Sequence, residues 1–106
     1  VKLYKLLTKM EHLLKIRKLY FDDILAGRKT FELRKFDRDF KCGDTLILRV
    51  WENGEYSGEA VKCNVAYLLD IADFVKTQEK WCILGIHWLW YYNHFKEDNN
   101  DLLCFN

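Results

Sequence analysis

The chain has 106 residues, half of them hydrophobic and 16% aromatic, with a formal net charge of +1. That length suits one domain with a real core, and the apolar content excludes a disordered chain. No apolar run approaches the roughly 18 residues of a membrane span, and the basic, alternating start VKLYKLLTKM lacks the separate apolar stretch of a secretory signal, so a cytoplasmic protein is expected.

The charge divides unevenly. Residues 1–41 hold twelve Lys/Arg against six Asp/Glu, a balance of +6, while residues 42–106 hold five against ten, a balance of −5. Such asymmetry points to an anionic partner at the basic end, with two ordinary solvated faces as the plain alternative. Cys42, Cys63, Cys82 and Cys104 are spaced by about twenty and form no CxxC pair. They read as small core residues in a reducing compartment. With His12, His87 and His94 they make no metal-ligand spacing, so neither a metal nor an organic cofactor is expected.

In chain order, residues 1–10 read as an N-terminal extension, with Leu3, Leu6, Leu7 and Met10 at amphipathic helical spacing. Residues 11–90 read as the domain, and residues 91–106 as a C-terminal tail that ends polar. Leu13–Arg17 is predicted as the first strand. Tyr20, Phe21, Ile24 and Leu25 recur with helical period, with Asp22 and Asp23 placed in the first turn and Gly27 at the C-terminal cap. Next, Thr30–Phe36 alternates as a half-buried strand, with Phe31 and Leu33 toward the core and Thr30, Glu32 and Arg34 on the opposite face.

A charged loop, Asp37-Arg38-Asp39, and a Gly43-Asp44 turn lead into a strand over Thr45–Trp51. Asn53-Gly54 is a hairpin signal, so Tyr56–Leu69 returns antiparallel as a long bent strand. Residues 70–80 are a short helix or irregular connection, and Trp81–Leu89 is a buried strand with Gly85 as a bulge. The run Trp90-Tyr91-Tyr92 cannot point inward at every position, and offers a homodimer contact or a stacking platform. The fold class is α+β, a small mixed β-barrel of five to six strands with one or two helices.

The densest polar cluster is Gly27–Arg34. Lys29, at a helix-to-strand turn, can meet a phosphate, or act as a base when desolvated. Arg34 can fork onto a phosphate or a base edge, and Glu32 can orient it or accept from a base amino group. Arg38 on the following loop is a further phosphate contact, Thr30 adds a hydroxyl, and Lys15, Arg17 and Lys18 extend a basic rim. Ordinary solvated or ion-paired roles are the alternative for each. His12 reads as a hydrogen-bonded strand histidine rather than a ligand.

The order of these motifs resembles the ASCH domain family of the PUA-like superfamily, in particular a small bacterial and phage branch. The match is carried by His12, Leu14, Lys15, Tyr20, Phe21, Ile24, Gly27, Lys29, Phe31, Glu32 and Arg34, then by Asp37-Arg38-Asp39-Phe40 and Gly43-Asp44. It continues through Tyr56-Ser57-Gly58 to Ile83–Ile86. The resemblance implies a PUA-like barrel whose cleft is lined by the GRKTFELR element, and a non-catalytic module that binds RNA or a nucleotide-like ligand. Another ASCH branch holds small amidohydrolases that remove an acetyl group from modified cytidine. This chain keeps that branch's lysine as Lys29 but has Glu32 where the branch has threonine; Glu59 and Glu79 are the candidates for its distant glutamate. A protein-interaction module acting through Trp90–Tyr92 is the third reading.

Overall fold

A computed structural model describes residues 9–97. The amphipathic segment expected over residues 1–8 and the polar end of the tail from residue 98 lie outside the described residues. The elements are β1 (Glu11–Ile16), α1 (Lys18–Leu25), β2 (Phe31–Lys35), β3 (Thr45–Glu52), β4 (Glu55–Asp70), a 3₁₀ turn (Ile71–Asp73) and β5 (Trp81–Tyr92). They form one five-stranded sheet in the order β1-β3-β4-β5-β2, with β1 parallel to β3 and all other pairs antiparallel.

The sheet curls around α1 but does not close. The small mixed β-barrel expected is seen in open form, a half-barrel, because no ladder joins the edge strands β1 and β2. The α+β class and the count of five strands stand. The concave side holds the core: Leu14 and Ile16 of β1, Leu46, Leu48 and Val50 of β3, and Val61, Cys63 and Val65 of β4. Cys82, Leu84 and Ile86 of β5 complete the sheet's share, and Phe21 and Ile24 descend onto it from α1.

Local chemistry explains the boundaries. The helix begins at Lys18, so Asp22 and Asp23 stand in its second turn, not its first as expected. The free N-terminal amide of Lys18 is taken by Glu52 at the end of β3, Oε2 to N 2.9 Å, a carboxylate at the positive end of the helix dipole. At the other end Gly27 has φ +79° and donates to the Ile24 carbonyl, as the cap position predicted. Asn53 and Gly54 both have positive φ, 52° and 83°, which is the two-residue hairpin conformation their pairing predicted.

Two bulges bend the long β4–β5 pair. Pairing passes from Val65–Ile86 to Tyr67–Gly85, which leaves Ala66 as the extra residue, and from Lys62–Trp90 to Cys63–Trp88, which leaves Leu89. The extra residue near Gly85 is thus on β4, not on β5. Strand β5 runs on to Tyr92, three residues beyond the predicted Leu89. Residues 70–80 contain the single 3₁₀ turn, capped by the Asp70 side chain on the Ala72 amide.

Of the four cysteines, Cys63 and Cys82 are core residues as expected, Cys42 is exposed, and Cys104 lies outside the described residues. Among the described residues, no helix is long and apolar enough to cross a membrane.

Candidate functional site

The open edge is where the polar residues gather. Between β1 and β2 lies a cleft of about 420 Å³, a volume within the range of small-ligand sites. Lys15, Arg17, Lys29, Glu32 and Arg34 line it together with the rings of Tyr20 and Phe31. Among the described residues four basic side chains and one carboxylate belong to its lining residues, a local balance of +3 in a chain whose net charge is +1.

The orientation of β2 reverses the expected one. Glu32 is buried and Arg34 half-buried on the concave side, while Phe31 and Leu33 stand on the convex side, 46% and 54% exposed. At the mouth of a half-barrel the concave side of an edge strand borders the cleft, and a charged pair is tolerated there because it is neutralised. Glu32 Oε2 accepts from Arg34 Nε at 2.8 Å and Nη2 at 2.6 Å. Its Oε1 is held by Lys29 Nζ, which also donates to the Phe31 carbonyl at 2.6 Å. Arg34 Nη2 then reaches the Lys15 carbonyl across the opening at 2.7 Å.

The rings flank this network. Lys29 Nζ lies 5.2 Å from the Phe31 ring centre and 5.5 Å from that of Tyr20. The ammonium is therefore within cation–π reach of both rings, a favourable place for a cation. Lys15 turns its ammonium over Trp51, 3.9 Å from the ring centre.

The structure brings Lys15, Lys29, Glu32 and Arg34 into the cleft, and Arg17 onto its rim. Thr30 is elsewhere: it lines a neighbouring cavity of about 170 Å³ with Ile24, Gly27 and Trp88, sharing only Lys29 with the main cleft. Arg38 lines a third cavity, about 330 Å³, beyond Arg34. Lys18 is drawn to Asp22 and Glu59, 3.1 and 3.0 Å away, and its pKa is raised chiefly by the hydrogen bond to Glu59. Neither Glu59 nor Glu79 lines the cleft; Glu79 pairs with Lys35 at the surface.

Other singled-out residues have structural tasks. His12 and Asp44 form a fully buried pair, Nε2 to Oδ2 2.8 Å, and Asp44 also accepts from the amides of Met10 and Lys41 at 3.1 and 3.0 Å. His12 is thus the hydrogen-bonded strand histidine expected, and Asp44 fastens the loop after Arg38 to β1. Burial pushes the Cys63 thiol up to about 12 and the Cys82 thiol up to about 11, so neither is a nucleophile at neutral pH. The aromatic run divides: Trp90 is 61% exposed, the Tyr91 ring lies 6.1 Å from Phe21, and Tyr92 packs on Phe95.

Tyr20 and Phe31 as cleft walls were missed in the sequence. Tyr20 carries the helical period of a core residue, and Phe31 the alternation of a core strand. The available signal was their position on either side of Lys29.

Residues 11–86 match a family described as a domain of unknown function, DUF3850. An uncharacterised 12.9 kDa protein of Escherichia phage P2, from the region 3′ of GpA, is 38% identical over 65 residues, 61% of this chain. The matched segment spans 60% of that protein's own length. The crystal structure of the hypothetical protein PH0355 superposes with a TM-score of 0.55 at 17% identity, over 76% of this chain and all of that one. A mutant of ZmASCH from Zymomonas mobilis gives 0.56 at 12% identity, over 74% of this chain and 68% of that one. At these identities the likeness is one of fold: the fold is ASCH-like, here an open α+β half-barrel of five strands. The family match covers most of the chain, and the protein belongs to the DUF3850 family.

Proposed function

We propose that the protein is a non-catalytic binding module for single-stranded or structured RNA, and that the cleft between β1 and β2 holds one of its nucleotides. The observation that carries this reading is the cleft itself: among the described residues, Lys15, Arg17, Lys29 and Arg34 against Glu32, beside the rings of Tyr20 and Phe31. Cations on a phosphate and rings beside a base are the two elements of sequence-tolerant single-strand recognition. The likeness of fold to ZmASCH supports placing the family among ASCH domains, with residues 11–90 as the functional unit. Thr30 and Arg38, in the adjoining cavities, extend the same surface as further contacts.

The test is an anisotropy titration with a labelled mixed RNA oligomer at several salt concentrations, repeated with Lys29→Ala and Arg34→Ala. Salt-sensitive binding that both substitutions weaken is expected. Binding insensitive to salt, or absent at low salt, rejects the reading.

The contact between Lys29 and Glu32 favours a second reading, amide hydrolysis of an acetylated cytidine with this pair in acid–base roles. Against it, both oxygens of Glu32 are occupied, and Glu59 and Glu79 stand outside the cleft. Turnover of acetylated cytidine that Lys29→Ala abolishes would establish it. A homodimer through Trp90, Tyr91 and Tyr92 is a separate proposal, tested by the dependence of solution size on concentration.

A further inference from the structure

We propose a second stacking site on the convex face of the sheet: a slot between Phe31 and Tyr67, floored by Gly85, that takes one unpaired base of an RNA strand whose neighbouring nucleotide lies in the cleft. This deepens, and rests on, the RNA reading of the cleft.

The pairing register places the three residues in one row across β2, β5 and β4: Phe31 opposite Gly85, and Gly85 opposite Tyr67. Directly opposed residues share a face. Leu84 and Ile86, on either side of Gly85, are buried in the concave core, so the row is convex. There Phe31 is 46% exposed and Tyr67 63%. Neighbouring strands lie about 4.8 Å apart, which separates the backbones of Phe31 and Tyr67 by roughly 9.6 Å. A flat ring between two others needs about 7 Å, twice the van der Waals spacing of carbon atoms. Gly85 contributes no side chain to this part of the face.

An alanine at this position would also crowd its neighbour. The Ala66 bulge sets Tyr67 so close that a Cβ on Gly85 would stand 3.2 Å from the Tyr67 Cβ. Next along the same face, His87 pairs with Asn64, and both are exposed. Their side chains can give and accept hydrogen bonds at a base edge. Phe31 belongs to both sites: it lines the cleft, and Lys29 Nζ lies 5.2 Å from its ring centre. A strand with a phosphate at Lys29 therefore has its next base at Phe31.

The test uses fluorescein-labelled rU10 for the strand and unlabelled UMP as competitor for the cleft, with Tyr67→Ala, Tyr67→Phe and Lys29→Ala. Tyr67→Ala is expected to weaken rU10 about tenfold to a hundredfold, leave the UMP inhibition constant unchanged, and keep the native melting temperature. Tyr67→Phe, which keeps the ring, should bind as the native protein does. Equal losses in Tyr67→Phe and Tyr67→Ala would overturn stacking in favour of the hydroxyl. If Tyr67→Ala binds rU10 normally while Lys29→Ala does not, the slot is overturned and the cleft reading stands. Loss with Tyr67→Ala but not with Lys29→Ala overturns the cleft, and with it a slot that shares its strand with the cleft. No binding of rU10 by the native protein overturns both.

Discussion

Arg34 on β2 donates to the main-chain carbonyl of Lys15 on β1 at 2.7 Å, across the opening where no ladder joins the two edge strands. The same guanidinium holds Glu32, which holds Lys29. One side chain thus sets both the width of the gap and the charge arrangement inside the cleft. The opening and the site have a common cause: the sheet is left unzipped where polar side chains replace the missing backbone ladder.

Removing that brace should cost stability. Arg34→Ala loses the contacts to Glu32 and the bond to the Lys15 carbonyl, an expected loss of about 2–3 kcal/mol. Arg34→Lys returns a point charge without the fork, and should recover only part of it. Urea titrations of the three proteins measure this, and an unchanged midpoint in Arg34→Ala would show that the edges are held by other means.

The cysteines predict a second pattern. In a Cys104→Ser background, one thiol, Cys42, should react at once with a thiol reagent at pH 8, and Cys63 and Cys82 only on unfolding. Their ordinary value is 9.0, and burial in the fold pushes them up to about 12 and about 11. A raised value means that the folded state keeps protons that the unfolded chain has released. Their contribution is therefore fully present below pH 9 and is lost as pH rises toward 11 and 12. Stability that does not fall across this alkaline range would contradict their burial.

Much of the fold was legible because local rules decided it. Gly27, the Gly43-Asp44 turn and the Asn53-Gly54 pair required only backbone conformation. The site was legible as a cluster but not as a geometry. Alternation states that Glu32 and Arg34 share a face, and leaves open which face turns inward. That is decided by the sheet order, which puts β2 at an open edge. The capping of Lys18 by Glu52, 34 residues away, and the anchoring of Asp44 to His12, 32 away, are likewise tertiary facts with no local signature.

Asp44 should be among the least replaceable residues. Its buried carboxylate accepts from His12 and from two main-chain amides, so Asp44→Ala leaves those donors unsatisfied. A loss of about 3–5 kcal/mol is expected, enough to unfold many domains of this size. Asp44→Asn keeps acceptor capacity on one oxygen and should cost less. Denaturation midpoints order the three proteins, and an Asp44→Ala protein as stable as the native one would remove the anchoring role.

Glu32→Gln separates the two readings of the cleft. Among the described residues Glu32 is the sole carboxylate lining it, so the substitution raises the local balance from +3 to +4 while keeping the side-chain shape. Its amide nitrogen then faces Lys29 or Arg34, and the fold should lose about 2–3 kcal/mol. A binding module whose cations meet phosphate should nevertheless hold RNA more tightly after this change, because Lys29 and Arg34 are released from their internal counterion. The gain should shrink as salt rises, since each phosphate contact to a single strand contributes a slope of about 0.7 in log affinity against log salt. An enzyme that uses Glu32 to move protons behaves in the opposite way: turnover disappears and no affinity is gained. Anisotropy at two salt concentrations, beside a turnover assay on acetylated cytidine, distinguishes the two. Weaker binding at every salt concentration by a folded Glu32→Gln protein would mean that Glu32 touches the ligand itself.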